Sequence, residues 1–476
     1  MEKYLAFING RHVEHASGEY IDVENPATGE IFAKAAKCGE TEVDMAVSAA
    51  KKAQKSWAAL SVVERAGHLK NLAALLRKKS GDLGRIVTME QGKQISIGSG
   101  EAAWGADLME YHAEWARRIE GEIIQSDSPF ENIFLYKEPV GVCACILPWN
   151  FPVYVLIRKL SPALITGNAV VLKPSSETPI SALVFAEICK EAGIPDGVVN
   201  AVSGDGSVVG KRLASHPDVG LVTLTGSTEA GRQVMTLSAR NLARVSLELG
   251  GKAPAVVMND ADLDLAVSSI HGGRLSNAGQ VCNCVERVYV QEGVYDEFIR
   301  RMTEAFGTVK IGNGMDDPDM GPLISGKALE AVGAMVKRAV DDGALIVTGG
   351  KPAYVMEKGY FYEPTILVNC RQDMEIVQEE IFGPVLPVLK FKTVDEAIAL
   401  ANDSKYGLTA TLYTENYRTA MRFANEIESG ELYINRRQGE AYQGYHAGWK
   451  LSGIGGDDGK HCLDAFMKTR VVYMKY

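Results

Sequence analysis

Long apolar runs are missing from this sequence. Nowhere in its 476 residues do about 18 apolar residues follow one another, so no membrane-crossing helix is expected. The first residues, Met1 to Phe7, hold neither an apolar leader core nor an Arg-rich arm, and a cytoplasmic location is the expectation. An excess of basic charge is also lacking. The net charge is −10 and the Lys and Arg residues are scattered, which argues against a nucleic-acid or anionic-membrane partner but leaves room for a local basic pocket. Cysteine is scarce, with 8 residues that include two C-x-C pairs, Cys143/Cys145 and Cys282/Cys284. Structural zinc usually takes a C-x₂₋₄-C spacing, and the first pair lies inside an apolar stretch, so no metal site is expected. Internal repeats, low-complexity linkers and the G-x-G-x-x-G dinucleotide fingerprint are absent as well.

What is present is an alternation of short apolar runs and helical segments. The length calls for two or three domains. Residues 5–35 read as short strands and turns. Thr41 with Asp44 and Ser61 with Glu64 are spaced as capping boxes opening two helices, and more helix is expected over 101–118. Residues 121–138 read as a hairpin arm able to pair with another subunit, and 470–476 alternates as a strand that would pair with it. Apolar runs at 140–147, 169–172, 198–202, 219–224 and 245–249 alternate with helices near 153–166, 181–192, 207–215 and 228–238, the pattern of a buried parallel sheet. A second such series runs from 253 to about 435.

The chemistry-bearing residues sit where strands end. Cys282 follows Gly279-Gln280-Val281. A thiolate adds to an aldehyde carbonyl, and the adduct needs an oxyanion donor, a hydride acceptor and a base for the later hydrolysis. Glu248, ending an apolar strand before Gly250-Gly251, is a candidate base, and Asn150, after Pro148-Trp149, is a candidate oxyanion donor. Local sequence leaves alternatives open: an inert thiol, a satisfied carboxylate and a turn asparagine fit the same stretches. Gly226-Ser227 through Gly231, and Gly204-Asp205-Gly206, lie between strands and helices and offer amides to a diphosphate, while Lys173 ends a strand where it could meet a ribose.

Taken together, six motifs resemble the NAD(P)-dependent aldehyde dehydrogenase superfamily in order and spacing. They are Leu147-Pro148-Trp149-Asn150-Phe151-Pro152, Lys173-Pro174, Thr225-Gly226-Ser227, Glu248-Leu249-Gly250-Gly251-Lys252, Gly279-Gln280-Val281-Cys282 and Glu380-Ile381-Phe382-Gly383-Pro384. The resemblance implies an α/β fold. A Rossmann-like parallel-sheet cofactor domain (1–120 and 140–249) joins an α/β catalytic domain (250–465) and a small β oligomerisation arm (121–139 and 466–476). It implies Cys282 as nucleophile, Glu248 as base and Asn150 with the Cys282 amide as oxyanion hole. NAD or NADP would be held by Pro148, Trp149, Lys173, Ser176, Gly206, Gly226, Ser227, Gly231, Leu249, Gly250, Glu380 and Phe382. The partners implied are a small aldehyde and a second copy of the chain, in a homodimer or homotetramer.

Further stretches, Tyr111 to Arg118, Gly121 to Asp127, Tyr445 to Trp449 and Ser452 to Gly456, resemble the lactaldehyde/glycolaldehyde dehydrogenase branch of that family. The branch implies substrate contacts from Arg158, Glu440 and His446. These side chains offer donors and an acceptor to a 2-hydroxyl, and Glu440 would repel an anionic substrate such as succinate semialdehyde, the alternative class, whereas Arg158 would favour it. Two departures stand out. Ser176 occupies the position at which strictly NAD-using relatives often carry Glu, with Glu177 displaced by one, which points to NADP use beside NAD. Cys284, two residues after the nucleophile, resembles a redox-sensitive pair, with a packing thiol as the simpler reading.

Overall fold

In the computed structural model, which describes residues 1–15 and 18–476, two large sheets carry the chain. The first has eight strands in the order Gly453–Ile454, Arg244–Glu248, Val219–Thr225, Val142–Ile146, Ala169–Lys173, Val199–Ala201, Ala6–Ile8 and Arg11–Val13. The five from Arg244–Glu248 to Val199–Ala201 are parallel. Val142–Ile146 and Ala169–Lys173 are buried at every residue, because helices cover both faces of the sheet. From Val142–Ile146 the chain builds outward to one side, then returns to add Val219–Thr225 and Arg244–Glu248 on the other. That reversal opens a crevice beyond the carboxyl ends of the central strands, where ligands bind in open α/β sheets.

The second sheet has seven strands, ordered Leu345–Thr348, Thr365–Val368, Val385–Phe391, Arg287–Gln291, Pro254–Val257, Thr409–Tyr413 and Glu431–Ile434. All its pairings are parallel except that of the edge strand Leu345–Thr348. A smaller sheet forms from Glu122–Gln125, Glu131–Pro139 and Met467–Lys475. The tail pairs antiparallel with the hairpin from Met467↔Pro139 to Lys475↔Glu131. Ile123, Phe130 and Tyr473 stand exposed on this arm.

Several sequence expectations shift. The first long helix is Glu40–Ala59, capped two residues before Thr41, with the Gly39 amide donating to the Glu42 carboxylate at 2.7 Å. The Ser61/Glu64 box opens Val62–Gln91 as expected. The next helix is Ile95–Ala113 rather than 101–118, and 207–215 divides into a wide turn at Gly206–Gly210 and a short helix at Lys211–Ser215. The segment expected to close the second domain returns instead to the first sheet: Gly453–Ile454 pairs with Arg244–Glu248, and Cys462, Leu463 and Phe466 pack in the core around that sheet. A two-residue edge strand carries too short a pattern to announce itself in sequence. The 5–35 expectation is met by four short strands, Ala6–Ile8, Arg11–Val13, Tyr20–Asn25 and Glu30–Ala36, with Ala16 and Ser17 outside the described residues. Among the described residues no helix is long and apolar enough to cross a membrane.

Candidate active site

The elbow before Cys282 is built on unusual backbone. The helix Leu263–Leu275 ends, and Asn277, Ala278 and Gly279 all take left-handed dihedrals, with φ of 49°, 55° and 75°. A non-glycine residue in that region costs on the order of 1–2 kcal/mol, so the turn persists only because its surroundings hold it. At Gly279 a side chain is excluded twice, since a Cβ would also lie 2.3 Å from the Gly383 carbonyl oxygen. Buried Gln280 pins the turn: its amide nitrogen donates to the Asn277 and Pro322 carbonyls, and its oxygen accepts from the Ile324 amide at 2.8 Å. Cys282 emerges partly exposed into a cavity of about 790 Å³.

That cavity is where the strand ends converge. Asn150, Arg158, Thr225, Glu248, Cys282, Glu440 and His446 all line it. Asn150 donates one amide hydrogen to the Gln280 carbonyl at 3.1 Å, which ties the expected oxyanion donor to the nucleophile's own turn. Glu248 is buried at the end of its strand, with neither carboxyl oxygen hydrogen-bonded. Burial pushes its carboxyl up to about 8, opposed by the charge of His446, while Asp457 adds to the rise. His446 lies 3.4 Å from Glu248 through Nε2 and 3.3 Å from both Glu431 and Glu440 through Nδ1. Burial disfavours a charged ring, yet Glu440 and Glu248 together raise the His446 pKa well above its ordinary value.

Arg158 comes from the helix Pro152–Ile165, and its charge is already matched. Its Nη2 lies 2.8 Å from Asp458 and 3.6 Å from Glu440. The next residue, Lys159, is buried 3.1 Å from Asp457. Asn283 donates to Glu440 at 2.8 Å.

A second cavity, of about 580 Å³, opens on the other side of Val219–Thr225, where Leu224 faces it and Thr225 faces the first. Lys173 and Gly206 line it together with Ser207, Lys211, Gln233 and Leu237. Lys173 is buried, its ammonium donating to the Pro174 carbonyl at 2.8 Å, and burial lowers it to about 8. Ser227 caps the helix Thr228–Ser238 by accepting from the Ala230 amide. Gly231 lets that helix approach the sheet, since a Cβ there would meet Leu249 at 2.7 Å. Ser176 donates to the Gly204 carbonyl at 3.2 Å. Across the crevice, Glu380 accepts from the Gly251 amide at 3.0 Å and crowds Gly250, while Phe382 stacks edge-on against Trp149 at 5.3 Å. The buried cation and the first turn of a helix at the second cavity, with the buried, unpartnered Thr225 hydroxyl at the first, fit a dinucleotide.

The Aldehyde dehydrogenase family model matches residues 12–472. The chain belongs to the aldehyde dehydrogenase family. It is 49% identical over 471 residues to lactaldehyde dehydrogenase of Escherichia coli K12, covering 98% of both chains. It is 42% identical to 3,6-anhydro-alpha-L-galactose dehydrogenase of a Vibrio species, covering 100% of both. The crystal structure of the E. coli lactaldehyde dehydrogenase superimposes with a TM-score of 0.97 over 100% of both chains.

Within this aldehyde dehydrogenase, several residues that shape the site carry no sequence signal. Glu286 is buried between Lys252 at 2.9 Å and Arg274 at 2.7 Å, and it accepts from the Ile381 and Phe382 amides at 3.0 and 3.3 Å. It thereby sets the loop that carries Glu380 and Phe382, where Phe382 itself has φ of 52°. Arg274 also reaches the Cys284 sulfur at 3.3 Å. Cys284 is buried and its thiol is pushed up to about 12, the setting of a packing thiol. Cys143 and Cys145 are buried in the core around the first sheet. Asp457 and Asp458 carry no such signal either, because a charge pair between glycines reads as a solvated turn. Only the antiparallel bridge of Asp457 to His446, at 2.8 and 2.9 Å, places them behind the site.

Proposed function

We propose that this aldehyde dehydrogenase oxidises a small 2-hydroxyaldehyde, such as lactaldehyde or glycolaldehyde, to its carboxylate. Cys282 attacks the carbonyl carbon, and the oxyanion is met by the Asn150 amide and the Cys282 backbone N–H. Bound NAD or NADP supplies the hydride acceptor, held by Lys173, Ser227, Glu380 and the residues that line the crevice with them. Loss of the aldehyde hydrogen leaves a thioester on Cys282. Glu248 takes a proton from water, and the hydroxide formed attacks the thioester carbon, breaking the C–S bond to release the carboxylate and the Cys282 thiol.

The observation that carries the substrate class is the state of Arg158. Asp458 and Glu440 already engage it, so no unmatched cation waits there for a substrate carboxylate, whereas Glu440 and His446 face the cavity as acceptor and donor for a hydroxyl. Both named relatives act on aldehydes that carry oxygen on the carbon beside the carbonyl, which supports the same class. A panel of lactaldehyde, glycolaldehyde, succinate semialdehyde and betaine aldehyde tests it. The hydroxyaldehydes should lead in kcat/KM by at least about tenfold, or roughly 1.4 kcal/mol. A lead for succinate semialdehyde would establish the alternative class instead.

The second cavity supports NADP use as well as NAD. No carboxylate stands at position 176, and Lys211 and Arg232 line the same space as Lys173. We expect kcat/KM for the two cofactors to lie within about a thousandfold, some 4 kcal/mol. A larger preference for NAD would contradict this.

The arm is the proposed self-association surface, because its exposed apolar side chains lie on a sheet with free edges.

A further inference from the structure

A cluster away from the reacting groups holds the oxyanion donor in place. Lys93 and Glu101 are fully buried, 2.5 Å apart from Nζ to Oε1. Lys93 lies in the junction between Val62–Gln91 and Ile95–Ala113, and Glu101 lies within the second of these helices. Two of the three donors of the Lys93 ammonium are taken up. One goes to Glu101 and one to the backbone carbonyl of Asn150 at 2.5 Å, and the charge sits 3.6 Å above the Phe151 ring. The other Glu101 oxygen accepts from the Val153 and Tyr154 amides at 3.0 Å each, where the helix Pro152–Ile165 begins. The Asn150 carbonyl takes a second donor, the Asn277 side-chain amide at 3.1 Å, and Asn277 also reaches the Gln280 carbonyl at 3.3 Å. The residue that supplies the oxyanion donor is therefore gripped from both sides, by the buried ion pair and by the left-handed turn that carries Cys282.

A buried ion pair is a weak stabiliser, since desolvation offsets much of the attraction. What a buried network of several hydrogen bonds to one backbone carbonyl confers is fixed geometry. Oxyanion stabilisation depends on that, because the donor must already stand where charge will develop. Resting on the function proposed above, we infer that Lys93 and Glu101 are positioning residues for Asn150: the pair fixes the Asn150 backbone so that its free amide hydrogen faces the carbonyl oxygen at Cys282. Displacing such a donor by about 1 Å is expected to slow the step on the order of a hundredfold.

The test is a double-mutant cycle read in the pre-steady-state burst of NAD(P)H, which reports acylation. Lys93→Met should slow the burst by at least about tenfold in the otherwise wild-type enzyme, and by less than about twofold in an Asn150→Ala background, because the interaction it supports is then already gone. The aldehyde and cofactor KM values should change little. Equal slowing in both backgrounds, or no slowing in either, would overturn the inference. Should Lys93→Met alone fail to fold, the paired Lys93→Met/Glu101→Met replacement leaves no unpaired buried charge and serves in the same cycle. It should keep its thermal transition while showing the same background-dependent slowing; unchanged burst kinetics in that variant would equally overturn the inference. If the wild-type enzyme forms NAD(P)H without a burst, the single-turnover rate with enzyme in excess takes the place of the burst in the same cycle; a wild-type enzyme that forms no NAD(P)H from any aldehyde would instead remove the proposed function beneath it.

Discussion

Cys282→Ala is expected to reduce steady-state NAD(P)H formation by at least about ten-thousandfold, because the remaining groups have no covalent adduct to act on. The thermal transition should stay within about 2 °C of wild type, since the partly exposed thiol contributes little to the core. Cofactor affinity, measured by titration of intrinsic fluorescence, should be retained, because the second cavity lies across the strand Val219–Thr225 from Cys282. Stopped-flow absorbance at the nicotinamide band would also show no burst. Residual turnover above about one per cent would refute the assignment of Cys282.

Glu248→Gln separates the two halves of the reaction. Acylation should survive, giving a burst of about one NAD(P)H per active subunit, while steady-state turnover falls by about 10²–10⁴ because no base activates water. Glutamine fills the same space, and neither oxygen of the glutamate is hydrogen-bonded, so the fold should tolerate it. The pH dependence follows from the raised carboxyl. Glu248 holds its proton up to about 8, so wild-type deacylation should rise with pH through that value and then level, and the variant should lose this limb. The sign for stability is the opposite. A folded-state pKa above the unfolded one means that folding retains a proton, so this contribution is full below the unfolded carboxyl range and is lost as pH climbs through about 8. A wild-type profile falling between pH 6 and 8 would contradict the assignment of Glu248 as base.

Much of the site was legible because its motifs stand at strand ends. Apolar runs followed by Pro148-Trp149-Asn150, Gly226-Ser227 and Glu248-Leu249-Gly250 mark where a parallel sheet delivers side chains to one edge, and the fold brings Asn150, Thr225 and Glu248 from these strand ends to one cavity. The supporting residues were not legible for an equally physical reason. Lys93, Glu101, Glu286 and Asp458 read in sequence as ordinary surface charges, and burial of a charge depends on the long-range partners that satisfy it. Asn277 and Ala278 show no sign of left-handed backbone, because ordinary residues take it only when neighbouring contacts compel them.

The sequence by itself determined the periodicities, and through them the two α/β series, the arm and the order of the reactive residues, since local sterics and apolar patterning act over a few residues. Only the tertiary structure decided which charges are buried together. It seats His446 between Glu248 and Glu440, matches Arg158 with Asp458, and clamps Asn150 between Lys93 and Asn277. Electrostatic environment is a property of distance in space, and these partners are separated along the chain by as many as 300 residues, as Arg158 and Asp458 are.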